Sequence, residues 1–324
     1  MTRSPRLSVF ATVLLTGILT LFGTTASTAA TPYAFAVIGD VPYGSAQISA
    51  FPSYISKINA DTGVRLVSHL GDISSPLNCS SSYYANVRSR FDLFADPLVY
   101  TPGDNEWADC WRATTGAGAP LSKLATLRSV FFPAPGTSLG ATRIPVTAQS
   151  GYPENVTFAA GSLTFAAFHA VGSSNDLVPW YGASSPSAAQ TAEVTSRIDA
   201  AARLITDAFT RARAAGSRAV VLITQADMFI PSQGSAYKSG FQKIVQTIAS
   251  QSLSFAKPVF LINGDTHSYR SDKPLTLSSW RSYYGITSSV SNLSRITIMG
   301  GTSEWTRFTV VSTSSVLQWQ RIPS

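Results

Sequence analysis

The sequence predicts an α/β fold: two packed mixed β-sheets, a β-sandwich, flanked by helices. Three observations carry this. Short runs rich in Val, Ile, Leu and Phe alternate with segments of helical periodicity as far as Asp265. A hairpin pattern at 155–172 and three strand-like runs at 295–322 break that alternation and supply antiparallel strands. The composition, 44% hydrophobic and 13% charged, is that of a chain with a core.

The first 30 residues read as a leader. Arg3 and Arg6 precede an apolar run, and small residues lead to Ala29-Ala30. That is the layout of a secretory signal peptide cleaved near Ala30, which leaves 31–324 as one domain of a secreted protein. The alternative, an uncleaved membrane anchor, needs a longer run unbroken by Thr and Gly. No later segment is long and apolar enough to span a bilayer, so no membrane association is expected after cleavage.

The formal net charge of +7 loses two with Arg3 and Arg6. What remains is scattered. There is no run of basic residues and no basic stripe interleaved with aromatics, so no nucleic-acid-binding patch is expected. Cys79 and Cys110 are the only cysteines. In an exported protein a Cys79–Cys110 disulfide is the expectation, since a thiolate metal site needs more Cys or His nearby.

Strands are expected at 33–40, 64–72, 97–104, 219–227 and 258–265, each apolar and each ending in polar residues. The hairpin turns at Gly161-Ser162. Helices are expected at 49–60, at 186–215 with Val194, Ile198, Ala201, Ile205 and Ala208 on one face, and at 237–250. Gly216 is placed to end the longest of them.

Four of the apolar strands end in Gly-Asp, at Asp40, Asp72, Asp104 and Asp265. One Gly-Asp is ordinarily a turn. In a sheet with helical crossovers, however, the carboxyl ends of parallel strands lie on one edge, where ligands bind. Four unpaired anions meeting there would repel strongly, and a pair of cations relieves that. With His267 two residues after Asp265, the set is a metal site, and its oxygen ligands favour Mg, Mn or Ca over Zn or Fe. The other two histidines stay open. His69 reads either as core or as a group orienting a ligand, and His169 either as a strand-end residue or as one reaching the site. Trp107 and Trp111 either line a substrate pocket or cover the disulfide.

The series GDVPY (39–43), GDISS (71–75), TPGDNEW (101–107), ITQAD (223–227) and GDTH (264–267) resembles the calcineurin-like metallophosphoesterase family over nearly the whole of 31–324. The family's motifs are GDxH, GDxx, GNHE, a strand-end His and GHxH. The resemblance implies a double β-sandwich with flanking helices, two metal ions, and hydrolysis of phosphate esters or anhydrides. It implies that Asp40 binds a metal, that Asp72 bridges both and that His267 is a ligand. Elsewhere the chain departs from the motifs. Pro42 replaces the first His, with Tyr43 beside it. Asp104 stands for the ligand Asn, and Asn105 for the His credited with protonating the leaving group. Gln225 stands for the strand-end His, and Asp265 for the first His of GHxH.

The expected metal ligands are therefore Asp40, Asp72, Asp104, Gln225, Asp265 and His267, around two divalent ions of the Mn, Mg or Ca type. Expected at the catalytic step are Asn105, which can hydrogen-bond a phosphate oxygen but has no proton to give, and Glu106, which can serve as an acid if burial raises its pKa. The substrate expected is a small phosphoester, mono- or diester, with an acidic leaving group. The alternative is a catalytically impaired relative that binds a phosphate-bearing or carbohydrate ligand. No P-loop and no nucleophile elbow is present.

Overall fold

β1 (Ala34–Ile38), β2 (Val64–His69) and β3 (Leu98–Tyr100) run parallel in a computed structural model that describes residues 1, 2, 4, 32–112 and 119–324. The expected leader lies almost wholly outside the described residues. β11 (Glu304–Val310) pairs antiparallel with β1, and β12 (Leu317–Pro323) antiparallel with β11. This first sheet is ordered β12-β11-β1-β2-β3.

The second sheet has seven strands in the order β4-β5-β6-β7-β8-β10-β9. β4 (Thr147–Gln149), β5 (Tyr152–Ala160) and β6 (Leu163–Ala167) are antiparallel neighbours. From β6 the sheet turns parallel through β7 (Ala219–Ile223), β8 (Val259–Asn263) and β10 (Leu293–Thr297). β9 (Arg270–Asp272) closes the edge antiparallel to β10. Both sheets are mixed, as the sequence predicts.

Alternation along each strand decides what the two faces touch. Phe35 and Val37 of β1 face the other sheet and meet Phe165, Ile262 and Ile296. The Phe35 ring stacks on Phe308 at 4.9 Å and meets Phe165 edge-on at 5.2 Å. Ala36 and Ile38, one residue out of phase, face helices instead. Strands covered on both faces need apolar residues throughout, which is why they read as unbroken runs.

The helix Gly44–Asn59 buries Ile48, Phe51, Ile55 and Ile58 on the outer face of the first sheet. Ala188–Ala214 opens on a capping box between Ser187 and Gln190 and buries the predicted face. Gly216, at φ 65°, follows its end. Ser235–Phe255 packs Phe241, Ile244, Val245 and Ile248 against the second sheet. Gly161 and Ser162 turn the hairpin with φ 56° and 66°, which pairs Phe158 with Phe165. Among the described residues no helix is long and apolar enough to cross a membrane.

The structure adds the helices Ser81–Phe91, Pro120–Phe131 and Ser278–Tyr284, and the short strands β4 and β9. Ser81–Phe91 is mostly polar and commits only Tyr84, Val87 and Phe91 to the core. Ser80 caps it, accepting from the Tyr83 N–H at 3.2 Å.

Cys79 and Cys110 form the expected disulfide, with Cα atoms 6.0 Å apart. It joins the loop after β2 to the loop after β3. The two cysteines are 31 residues apart in sequence. Replacing both by Ser is expected to lower unfolding stability by about 3–4 kcal/mol on the loop-closure model. Urea unfolding of the oxidised protein against the double variant measures it.

Candidate metal centre

Asp40, Asp72 and Asp104 lie just beyond β1, β2 and β3; Gln225 and Asp265 lie just beyond β7 and β8. Because those strands are parallel within each sheet, their carboxyl ends share one edge, and the packing of the sheets faces the two sets of ends together.

Local backbone geometry turns the side chains inward. Asp40, Asp72 and Asp265 have φ of 56°, 55° and 78°, and His267 has 48°. This left-handed conformation costs an L-residue about 1–2 kcal/mol, and Asp is one of the few that visit it routinely. The turns also need small neighbours. A Cβ on Gly103 would stand 2.0 Å from Asp72 Oδ1, and one on Gly172 would stand 2.6 Å from Asp104 Oδ2. Any larger residue there would displace a carboxylate.

Asp72, Asp104 and Asp265 each place an oxygen within 4.8 Å of the others, a spacing suited to shared coordination of a cation. Asp40 is 1% exposed, and neither of its oxygens has a hydrogen-bond partner. His267 Nε2 stands 3.5 Å from Asp40 Oδ1 on the exposed side. Burial, reinforced by the Asp104 carboxylate, pushes Asp40 up to about 8. The same two causes push Asp72 and Asp265 well above the ordinary carboxylate range. So many buried carboxyls ionise together only beside a cation. Two orphaned oxygens and a set of hard donors fit a divalent ion of the Mn, Mg or Ca type.

Two expected residues are placed differently. Gln225 does not turn its oxygen to the carboxylates. Its Nε2 donates to Asp72 Oδ2 at 3.3 Å and Asp104 Oδ1 at 3.2 Å, while its Oε1 accepts from the Gly172 N–H at 2.7 Å. Glu106 is wholly buried. Its Oε1 accepts from the Gly103 N–H at 2.6 Å, the Tyr100 hydroxyl at 2.8 Å and the Asp72 N–H at 3.2 Å. Burial raises it to about 7, the condition set for an acid, and the carboxylate braces the Asp72 and Gly103 turns.

Asn105 is at the mouth. Its N–H donates to Asp72 Oδ1 at 3.3 Å and its Nδ2 to the Tyr43 hydroxyl at 3.3 Å. That hydroxyl also donates to Asp72 Oδ2 at 3.4 Å, a contact the sequence reading leaves unassigned. The signal was the aromatic three residues after Asp40.

His69 is buried and serves both open readings. Its Nε2 lies 2.7 Å from the Val41 carbonyl and its Nδ1 accepts from the Gly71 N–H at 3.2 Å, which ties the Asp40 and Asp72 turns together. Burial lowers its pKa to about 3, so it stays neutral. His169 does not join the carboxylates. Its Nδ1 lies 2.9 Å from Glu154 Oε1, and its Nε2 accepts from the Trp107 indole at 3.1 Å. Trp107 is therefore neither pocket wall nor disulfide cover; the Arg197 guanidinium lies 5.2 Å over its ring. Trp111 is partly exposed beside Arg112.

No family model matches the sequence, and no curated protein matches it. Solved structures similar to the chain include GAP50, the anchor in the inner membrane complex of Plasmodium, at 9% identity over 90% of this chain and 89% of that one, TM-score 0.47. Another is the 5′-nucleotidase precursor of Thermus thermophilus, at 8% identity over 90% of this chain and 54% of that one, TM-score 0.44. A third is the calcineurin-like phosphoesterase YfkN of Bacillus subtilis, at 8% identity over 90% and 91%, TM-score 0.40. These are distant likenesses of fold, and the chemistry stands on the residues just described.

The network behind the site carries a pH signature of its own. Burial alone would raise Glu154; hydrogen bonds from His169 and Arg128 outweigh it and bring it from 4.5 to about 2. A carboxyl lowered on folding adds stability that is whole above its unfolded pKa and lost as pH falls through its folded one. The wild type is thus expected to lose stability between pH 4.5 and about 2. Glu154→Gln should be less stable at neutral pH and flatter across that window in urea midpoints.

Proposed function

We propose that the chain is a secreted, metal-dependent phosphoesterase acting on small phosphate esters. One observation carries the reading: Asp40 is buried with both oxygens unpartnered, beside three further carboxylates and His267. A stable fold keeps such a group either protonated or beside a counter-charge, and four carboxyls together favour the counter-charge. Secretion is supported by the leader-like first 30 residues and by the disulfide.

Asp40, Asp72, Asp104 and Asp265 would hold the metal with His267. A bound divalent cation supplies a water of lowered pKa and neutralises phosphoryl charge. Asn105, half-buried at the mouth, offers an amide N–H2 to a phosphate oxygen and orients the ester. Asn105 has no proton to give and the Glu106 carboxylate is held by the Gly103 and Asp72 N–H groups, so esters whose leaving group needs no proton are favoured.

Hydrolysis of p-nitrophenyl phosphate with Mn, Mg or Ca tests the reading. Asp72→Ala is expected to lose at least about 100-fold in rate, given that even outer partners of metal ligands are worth 10–100-fold. Across a series of aryl and alkyl phosphates the rate should fall steeply as the leaving group becomes more basic. Asn105 favours one second reading, a site that binds phosphate esters without turning them over. Equal rates for wild type and Asp72→Ala would leave only that one.

A further inference from the structure

We infer that Gln225 is a fixed hydrogen-bond donor and not a metal ligand, so that the centre takes one divalent cation where the sequence resemblance implies two. The inference deepens the phosphoesterase reading and rests on it for the presence of a cation.

A side-chain amide has an oxygen end and an N–H2 end, and only the oxygen can face a cation. Gly172 decides which end faces the carboxylates. Its backbone N–H donates to Gln225 Oε1 at 2.7 Å. A backbone N–H cannot accept, so the oxygen must face it, and the N–H2 is left facing Asp72 and Asp104. Turning the amide over would set donor against donor. Gly172 and Gln225 are both buried, so neither could turn to water instead.

Nor can Gly172 move aside. Its neighbour Val171 donates its N–H to Asn175 Oδ1 at 3.2 Å, and Asn175 Nδ2 donates to the Gly240 carbonyl at 2.8 Å. A Cβ at 172 would already stand 2.6 Å from Asp104 Oδ2 and 2.8 Å from Asp265 Oδ1, so the backbone is packed against the cluster.

The two N–H bonds occupy Asp72 Oδ2 and Asp104 Oδ1, so those two oxygens are not free for a second ion. Among the described residues no side-chain amide reaches Asp40. Both Asp40 oxygens are unpartnered, and His267 Nε2 is 3.5 Å from one of them. A single cation would be held by Asp40 and His267 with the remaining oxygens of Asp72, Asp104 and Asp265, and Gln225 stands in for the second ion.

The test is metal stoichiometry on the full chain, by elemental analysis and by electron paramagnetic resonance during Mn(II) titration. Wild type is expected to bind about one Mn per chain and to give the spectrum of isolated ions. Gln225→Glu keeps the size and still offers Gly172 an acceptor, but presents an oxygen to Asp72 and Asp104. It is expected to bind about two Mn, with a spectrum of coupled ions. Two coupled ions in wild type overturn the inference and leave the phosphoesterase reading standing. No bound Mn in wild type overturns both. A folded Gln225→Glu that stays at one overturns the role given to Gln225. If that variant does not fold, the wild-type spectrum alone decides between one ion and two.

Discussion

Like charge packed at one edge of two sheets is the constraint on which the rest of this molecule depends. Two unit charges 4 Å apart repel by about 4 kcal/mol at the effective dielectric of a protein surface, and less water means more. Asp40, Asp72 and Asp104 are buried and Asp265 lies among them. The fold answers partly with N–H donors. Gln225 serves Asp72 and Asp104, the Asn105 N–H serves Asp72, and the Asp227 N–H serves Asp265 at 3.3 Å. Asp227 is in turn paired with the buried Arg295 at 2.7 Å. Asp40 receives no side-chain donor, and both of its oxygens are left buried without a hydrogen-bond partner.

Keeping the acids in place costs backbone energy as well. Three of the four aspartates sit in the left-handed region, a conformation that persists only where the surroundings over-determine it. Here the surroundings are buried polar braces. Glu106 gathers the Gly103 and Asp72 N–H groups, and His69 joins Val41 to Gly71. The disulfide then binds the two loops that follow Asp72 and Asp104. Glu106 and His69 are ionisable in water, and here both are fully buried. The acid–base chemistry that residues such as Glu106 and His69 suggest in a sequence is thereby turned into support.

Much of this was legible before the structure. Unbroken apolar runs marked strands covered on both faces, because a buried parallel strand has no polar side to show. Gly-Asp after each run marked the strand ends, because a sharp turn and a left-handed aspartate both favour that pair. Helices with strong apolar periodicity were legible too. Ser81–Phe91 was not: Ser, Tyr, Asn and Arg dominate it, and its stability comes from Ser80 at its start and three contacts with the core. The meeting of Asp72, Asp104 and Asp265 was legible from the strand ends, but the orientation of Gln225 was not. It depends on a single N–H, 53 positions away, that sequence spacing cannot place. The bracing contacts of Glu106 were hidden for a similar reason. Nothing local says that the turns of Asp72 and Gly103 would close over its carboxylate.

That distant N–H is held by a run of residues in the left-handed region. Ser173, Ser174, Asn175 and Asp176 follow one another with φ of 49°, 59°, 59° and 64°, a left-handed turn without glycine. At about 1–2 kcal/mol for each such residue it is an expensive conformation, and it needs strong holders. The Asn175 side chain bonds Val171, Gly240 and the Arg197 guanidinium. Ser173 donates to the Asp109 carboxylate at 2.9 Å. Arg197, fully buried, is paired with Glu193 and lies over Trp107 in the loop that carries Asp104. One arginine thus supports both the turn that aims Gly172 at Gln225 and the loop whose aspartate Gln225 serves. The strain is the means by which a helix remote from the strand ends sets the direction of one amide at the centre of the cluster.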